Sequence, residues 1–294
     1  MEVSAAAKSV LRVPARTWRF LRRWPVIPLF ILGVMVVFAI FPHQIAPYDP
    51  LEGELKEQHI PPIWYPGGSS KHILGTDFVG RDLLSRVIHG ARVSLKISAV
   101  ALSAGIITGT ALGLISGYFG GLIDEVCMRL IDLWASIPPL MVGMIAAVVL
   151  GASDVTLMGV LALQSWSAGA RNVRAEVLSL KTRDYVSLAK VSGASTARIM
   201  VKHMLPGVVN TVMVIATLAI GGLIMSEAFL SYMGAGVPSP TPAWGLMTSE
   251  GKDYLTVAWW DCFFPGLAIF FTVMSLNFLG DWTRDRLDPR LRQL

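Results

Sequence analysis

The chain has 294 residues, 53% of them apolar and only 15% charged, with a mean hydropathy of +0.58 and a net charge of +5. Soluble domains carry roughly 25% charged residues, so this composition excludes a soluble globule and points to several membrane spans with one sizeable loop. That length leaves no room beside the spans for a nucleotide-hydrolysing domain.

Residues 1–24 form a basic N-terminal segment with Lys8, Arg12, Arg16, Arg19, Arg22 and Arg23. The first apolar run, Pro25–Phe41, has the basic flank of a signal peptide but is followed by Pro42-His43-Gln44 rather than a small-x-small cleavage site, so it reads as an uncleaved signal anchor. A long loop follows, His43 to Arg92, with turns at Pro61-Pro62 and Pro66-Gly67-Gly68. At its end, Leu83, Leu84, Val87 and Ile88 mark one face of a helix over Arg81–Ile97, expected to lie along the membrane surface. Five further spans are predicted at Ser94–Tyr118, about Val126–Leu150, about Val155–Ala170 (the shortest), Val208–Tyr232 and Cys262–Leu279. Crossing the hydrocarbon core takes about 17–25 residues. Lipid offers backbone groups no partners and nothing alternates like barrel strands, so the fold class is an all-α membrane protein with six transmembrane helices. The chain divides into 1–24, the first helix with its loop (25–93), a transmembrane core (94–283) and a basic tail (284–294).

Charge sets the orientation. Basic clusters also occur in nucleic-acid binders, but these flank apolar runs and belong on the cytoplasmic side. With the N-terminus inside, six spans return the C-terminus inside, with Arg284, Arg286, Arg290 and Arg292. The loop between spans four and five also falls inside, with seven basic residues from Arg171 to Lys202, whereas the next loop holds only Lys252. The first loop falls outside despite Lys56, Lys71, Arg81, Arg86 and Arg92; long loops translocate largely regardless of charge. Cys127 and Cys262 start spans that enter from opposite faces, about 30 Å apart. A disulfide needs Cα atoms within about 7 Å, so free thiols are expected.

Four glycines, Gly105, Gly109, Gly113 and Gly117, make one stripe at i, i+4, i+8 and i+12 in the second span. Such stripes let helix backbones approach closely in lipid; simple packing and a sliding surface during gating both fit. In the third span Arg129 and Asp132 are spaced to pair on one face, and Ser136-Ile-Pro138-Pro139 should kink the helix. Intramembrane carboxyls are functional candidates by default, so Glu227, Asp132 and the Pro138 kink are candidates for a pathway or gate.

The segment 171–206 reads as two short amphipathic helices broken at Gly193 and stopped by Pro206. Such a helix either lies on lipid or docks in a partner's groove. Ser187-Leu188-Ala189, three residues, Gly193, then His203, one residue, Leu205-Pro206 resembles the "EAA" loop of permeases from binding-protein-dependent ABC importers. That loop reads Glu-Ala-Ala, three residues, Gly, nine residues, Ile, one residue, Leu-Pro. Ser187 stands for its Glu, Leu188 for its first Ala and His203 for its Ile. Further segments resemble the dipeptide, oligopeptide and nickel subfamily, as its second, C-type permease: Ala46-Pro-Tyr-Asp-Pro50, Leu74-Gly-Thr-Asp77-Phe-Val-Gly80-Arg-Asp82-Leu-Leu-Ser-Arg86, Gly90-Ala-Arg-Val-Ser-Leu95, Glu227-Ala-Phe-Leu-Ser-Tyr-Met-Gly234, and Leu276 through Arg290.

The resemblance implies half of a translocation pore for di- or oligopeptides, or for another solute such as a nickel chelate or glutathione, in a bacterial or archaeal plasma (inner) membrane. It implies a second permease subunit, two ATP-binding cassette ATPases that carry the ATP and Mg, and an extracytoplasmic solute-binding protein, with membrane lipid around the helices and no nucleic acid. In that family the loop at 187–206 is the coupling helix that inserts into the ATPase. The chain itself has no Gly-x-x-x-x-Gly-Lys-Ser/Thr run, no metal-ligand spacing and no catalytic constellation, so it is expected to bind no cofactor and to catalyse no reaction. A self-sufficient secondary transporter would call for paired repeats and a membrane-embedded enzyme for a polar set at membrane depth; neither pattern is visible.

Overall fold

A computed structural model of the chain describes residues 25–287. The basic segment 1–24 and the tail residues Arg290 and Arg292 lie outside the described residues. Within them the regular structure is helical, with two isolated β-bridges, Gly53–Arg81 and Thr76–Asp82. The principal helices are α1 (Val26–Ile40), α2 (Leu83–Phe119), α3 (Gly121–Ala135), α4 (Pro139–Leu150), α5 (Asp154–Leu180), α6 (Asp184–Val191), α7 (Thr196–Tyr232), α8 (Trp244–Gly251) and α9 (Trp260–Leu287). Three of them, α2, α7 and α9 (the last through Arg286), are long and apolar enough to cross a membrane, and α3 with α4 would make a fourth if their bent pair is one span.

α2 is the spine. Asp82 caps it by accepting from the Ser85 N–H at 2.8 Å and the Ser85 hydroxyl at 2.7 Å, and Gly120 ends it at φ +67°. Its 37 residues span about 55 Å at 1.5 Å each, far more than the roughly 30 Å hydrocarbon core. This corrects the expected surface helix at Arg81–Ile97. Residues 83–91 are the first turns of α2 itself, with all but Leu84 buried beneath a cap formed by the 41–82 loop, α8 and the turns around it. In that cap the buried Trp244 indole donates to the Val87 carbonyl at 2.9 Å and lies over Gly90, where no side chain fits.

The third predicted span is two helices at 81°, joined through Ser136–Pro138. Pro138 and Pro139 lack the N–H groups that would continue α3, and Pro139 starts α4 afresh. α5 runs ten residues beyond the predicted end of the fourth span, to Leu180, because Ser153 caps its start and no breaker intervenes before Lys181. Pro206 does not stop a helix as expected. A π-helical turn at Met200–Met204 lets α7 run through it, absorbing the missing hydrogen bond of the proline. α9 also exceeds its predicted bounds at both ends.

Three apolar clusters lie along α2. One joins Leu83, Val87 and Ala91 to Trp244, Met247 and Trp260. The next joins Ile97 and Ala101 to Leu157, Leu161, Leu223 and Leu230. The last joins Leu114 to Val173, Val177, Val186, Ile199, Met204 and Val208. The last one positions the candidate site, at the opposite end of the spine from the cap.

Candidate functional site

The glycine stripe of α2 lies against α5. A Cβ on Gly105 would sit 2.7 Å from the Ala162 carbonyl, one on Gly109 2.4 Å from that of Trp166, and one on Gly113 2.7 Å from that of Ala170. At Gly117 the obstacle is Val177 Cγ1, at 2.8 Å. Backbone meets backbone over the first three positions, so α2 and α5 form one rigid two-helix unit. That unit carries the segment 181–206 at its end.

There α6 is held on one side and free on the other. Val186 is fully buried in the last apolar cluster, and Ala189 and Ala194 pack against the same cluster. One turn apart on the opposite face stand Tyr185, Leu188 and Val191; Leu188 is 65% and Val191 87% exposed. α6 ends in a Schellman motif: the Ala194 N–H donates to the Ala189 carbonyl and the Gly193 N–H to the Lys190 carbonyl, each at 3.0 Å. Gly193 closes it at φ +77°, a conformation that costs L residues about 1 kcal/mol or more. Lys181 donates to the Tyr118 carbonyl at 2.5 Å, and the ammonium groups of Lys181 and Lys190 lie 5.8 and 5.6 Å from the Tyr118 ring centre. These contacts tie the end of α5 and the last turn of α6 to the end of α2.

The structure gathers Ser187, Leu188, Ala189 and Gly193 in this one element. His203 and Leu205, both half-buried, and the exposed Pro206 belong to the π turn and the start of the long run of α7. Arg129 and Asp132 do not pair with each other. Asp132 accepts from Arg171 of α5 at 2.7 Å, and Arg129 approaches Glu125 at 3.8 Å, because α5 runs past α3 and supplies a closer guanidinium. Arg174 likewise binds Asp124 through both oxygens, at 2.5 and 2.6 Å. Pro138 is exposed at the α3–α4 bend. Glu227 is 0% exposed inside the helix bundle; one carboxylate oxygen accepts from Ser231 at 2.9 Å and the other has no partner.

Sequence reasoning missed a buried ionic cluster in the cap. Arg86 donates to Asp77 and, at 2.9 Å, to Glu250; Arg81 donates to Asp77 at 2.7 Å. Burial raises the Asp77 carboxyl, but the guanidiniums of Arg86 and Arg81 and the N–H groups of Arg81 and Val79 outweigh it and hold it below the ordinary carboxylate range. The run Asp77-Phe-Val-Gly-Arg81-Asp82 with Arg86 was visible as a motif. Glu250, more than 160 residues later, shares no period with it.

Residues 109–293 match the family described as binding-protein-dependent transport system inner membrane component. The chain belongs to this family. The permease is 39% identical over 264 residues to the di/tripeptide transport system permease protein DppC of Pseudomonas aeruginosa, covering 90% of this chain and 87% of that one. It is 36% identical to the glutathione transport system permease protein GsiD of Pectobacterium atrosepticum, covering 97% of this chain and 94% of the other. It is 34% identical to the nickel transport system permease protein NikC of Escherichia coli K12, covering 92% and 95%. A chain from the inward-facing MetNI methionine ABC transporter superposes with a TM-score of 0.56 at 16% identity, over 70% of this chain and 98% of that one, which shows a shared fold. The permease is thus a multi-pass plasma-membrane transport component of an ABC importer.

Proposed function

We propose that the permease forms one half of the translocation pore for di- or oligopeptides, paired with a second permease subunit, fed by an extracytoplasmic solute-binding protein and driven by two ATPase subunits that hold ATP and Mg. Six spans, with both termini cytoplasmic, would place α6 on the ATPase side and the cap on the outer side. The observation that carries the reading is the form of α6. One face is fixed in the protein by Val186 and Ala189, and the other offers Tyr185, Leu188 and Val191 to a partner. A helix so held cannot move without moving its base. A push on α6 is therefore passed to the α2–α5 unit, whose glycine contacts leave no slack to absorb it. ATP can shift the pore only through contacts that differ between its two states, and α6 is where those contacts are made. The exposed α3–α4 bend at Pro138, with Asp132 beside it, is the surface we assign to the pathway between the two halves.

Peptides are the solute class because a di-, tri- or oligopeptide is the solute that recurs most often in the names of the similar permeases. The names of GsiD and NikC put glutathione and nickel in the same test. The complex, reconstituted with its binding protein in liposomes, is expected to take up labelled di- and tripeptides only when ATP is supplied on the α6 side. Uptake by this chain alone, driven by an ion gradient, would contradict the reading and make it a secondary transporter. ATP-driven uptake of nickel or glutathione without dipeptides would keep the importer and replace the solute.

A further inference from the structure

Six ionisable side chains converge where the cap meets α2, α8 and α9. Asp77, Arg81, Arg86 and Glu250 are mutually bonded and sum to zero charge. Asp261, in the first turn of α9, adds a third carboxylate that is 3% exposed, and neither of its oxygens has a hydrogen-bond partner. His59 Nδ1 stands 3.3 Å from Asp261 Oδ2 and has no hydrogen-bond partner either. The backbone is bent to bring it there: among the described residues His59 is the one non-glycine with positive φ, at +53°. Its N–H donates to the Asp77 carbonyl at 3.2 Å, and its ring lies 4.6 Å from that of Tyr254. The groups around the pair are therefore Asp77 and Arg81 from the loop, Arg86 from α2, Glu250 from α8, the Tyr254 phenol, and Cys262 next along α9.

A buried carboxylate without a compensating charge is costly enough that such groups take up a proton instead. With neutral His59 and ionised Asp261 the cluster would carry one uncompensated negative charge; with one added proton it is neutral. We propose that His59 and Asp261 together bind one proton, which closes the seam between the 41–82 loop and the last membrane helix. The proton belongs to the pair, whose Nδ1 and Oδ2 stand 3.3 Å apart. Burial pushes the His59 imidazole below its ordinary range, against the pull of Asp77, and so moves the proton toward the carboxyl. The proton site rests on the geometry alone; its assignment to the outer face, where outside pH would set its occupancy, rests on the topology proposed above.

The sign follows from linkage. The folded state keeps a proton that the unfolded chain, with Asp and His near about 3.9 and 6.5, releases. Stability therefore falls as pH rises from about 6.5, the unfolded His value, to the pH at which the folded pair itself lets its proton go. The test compares the assembled importer carrying the native chain with one carrying Asp261→Asn, melted from pH 6 to pH 9. Asn keeps the shape without the titration. As long as the folded pair holds its proton, the native unfolding constant is expected to rise about tenfold per pH unit more than that of the variant, the signature of one proton, and the two slopes converge once that proton is lost. Parallel curves would overturn the proposal, and Asp261→Ser repeats the comparison if Asn does not fit. The native complex supplies a mutation-free check by hydrogen exchange. After correction for intrinsic rate, the opening constant at residues 59–60 and 76–77 is expected to rise with pH while that of the Gly105–Gly117 segment does not. A pH-independent opening constant at those residues would refute the bound proton.

Discussion

Replacing Gly109 with leucine is expected to prevent the permease from accumulating as folded protein. Its Cβ would fall 2.4 Å from the Trp166 carbonyl oxygen and 3.1 Å from the Ala170 nitrogen, and Gly169 of the facing helix lies close by. These are backbone atoms, so no rotamer change relieves the clash and the two helices must separate. Overpacking a core costs about 1–3 kcal/mol where side chains can give, and here they cannot. The contact is also the main attraction between these helices, since lipid supplies little hydrophobic drive for association. A loss beyond about 3 kcal/mol removes a large part of a total stability of about 5–15 kcal/mol. Gly159 and Gly222 face open space, and a Cβ at either would meet no atom within 4 Å. Alanine there is expected to be neutral or to stabilise by up to about 1 kcal/mol through helix propensity. Yield and melting temperature in detergent decide the matter: a Gly109→Leu chain that melts with the native protein would show that α2 and α5 are not locked.

Arg86→Met is expected to be the most damaging change in the cap. Arg86 is 1% exposed and bridges Asp77 of the loop to Glu250 of α8. Methionine fills much of the space but leaves two carboxylates sharing Arg81. Removing one partner of a buried ion pair costs about 3–5 kcal/mol, mostly from the charge left behind. Arg86→Lys should recover only part of this, because a point ammonium cannot reach both carboxylates as the planar fork does. Acid acts on the same joint. The depressed Asp77 carboxyl contributes stability that is present above its unfolded pKa and is lost as pH falls through the lower folded value. The check is the melting temperature of the assembled complex carrying each variant, near neutral pH and in acid. An unchanged melting temperature for Arg86→Met would mean that the cluster does not hold the cap down.

The all-helical architecture was legible because long apolar runs in lipid admit only helices. The Gly105–Gly117 stripe was legible as a close-packing surface, though not its partner α5. The boundaries were harder. Hydropathy marks the part of a helix that suits lipid, and α2, α5 and α9 each continue past it, into the cap for residues 83–91 of α2 and beyond the apolar stretch for the others. Capping by Asp82 and Ser153 sets two of those starts. Pro206 read as a stop because a proline costs a hydrogen bond in a regular helix; the π turn before it removes that cost, and no periodicity in the sequence announced it. Gly193 was legible as a break from spacing, and its positive φ gives the physical reason only glycine is comfortable there. The pairings of Asp132 with Arg171 and of Arg86 with Glu250 join distant elements, and spacing rules reach only neighbours on one helix.

The central claim is that the outward face of α6 carries the force of ATP hydrolysis into the pore. Leu188→Asp combined with Val191→Asp tests it most directly, since both side chains are exposed and neither supports the fold of this chain. The measurement is ATPase activity of the reconstituted complex with and without loaded binding protein. The expected result is a permease that folds and melts like the native protein while stimulation by binding protein falls at least about tenfold. Stimulation and transport at native levels in the double variant would contradict the account and place the coupling surface elsewhere.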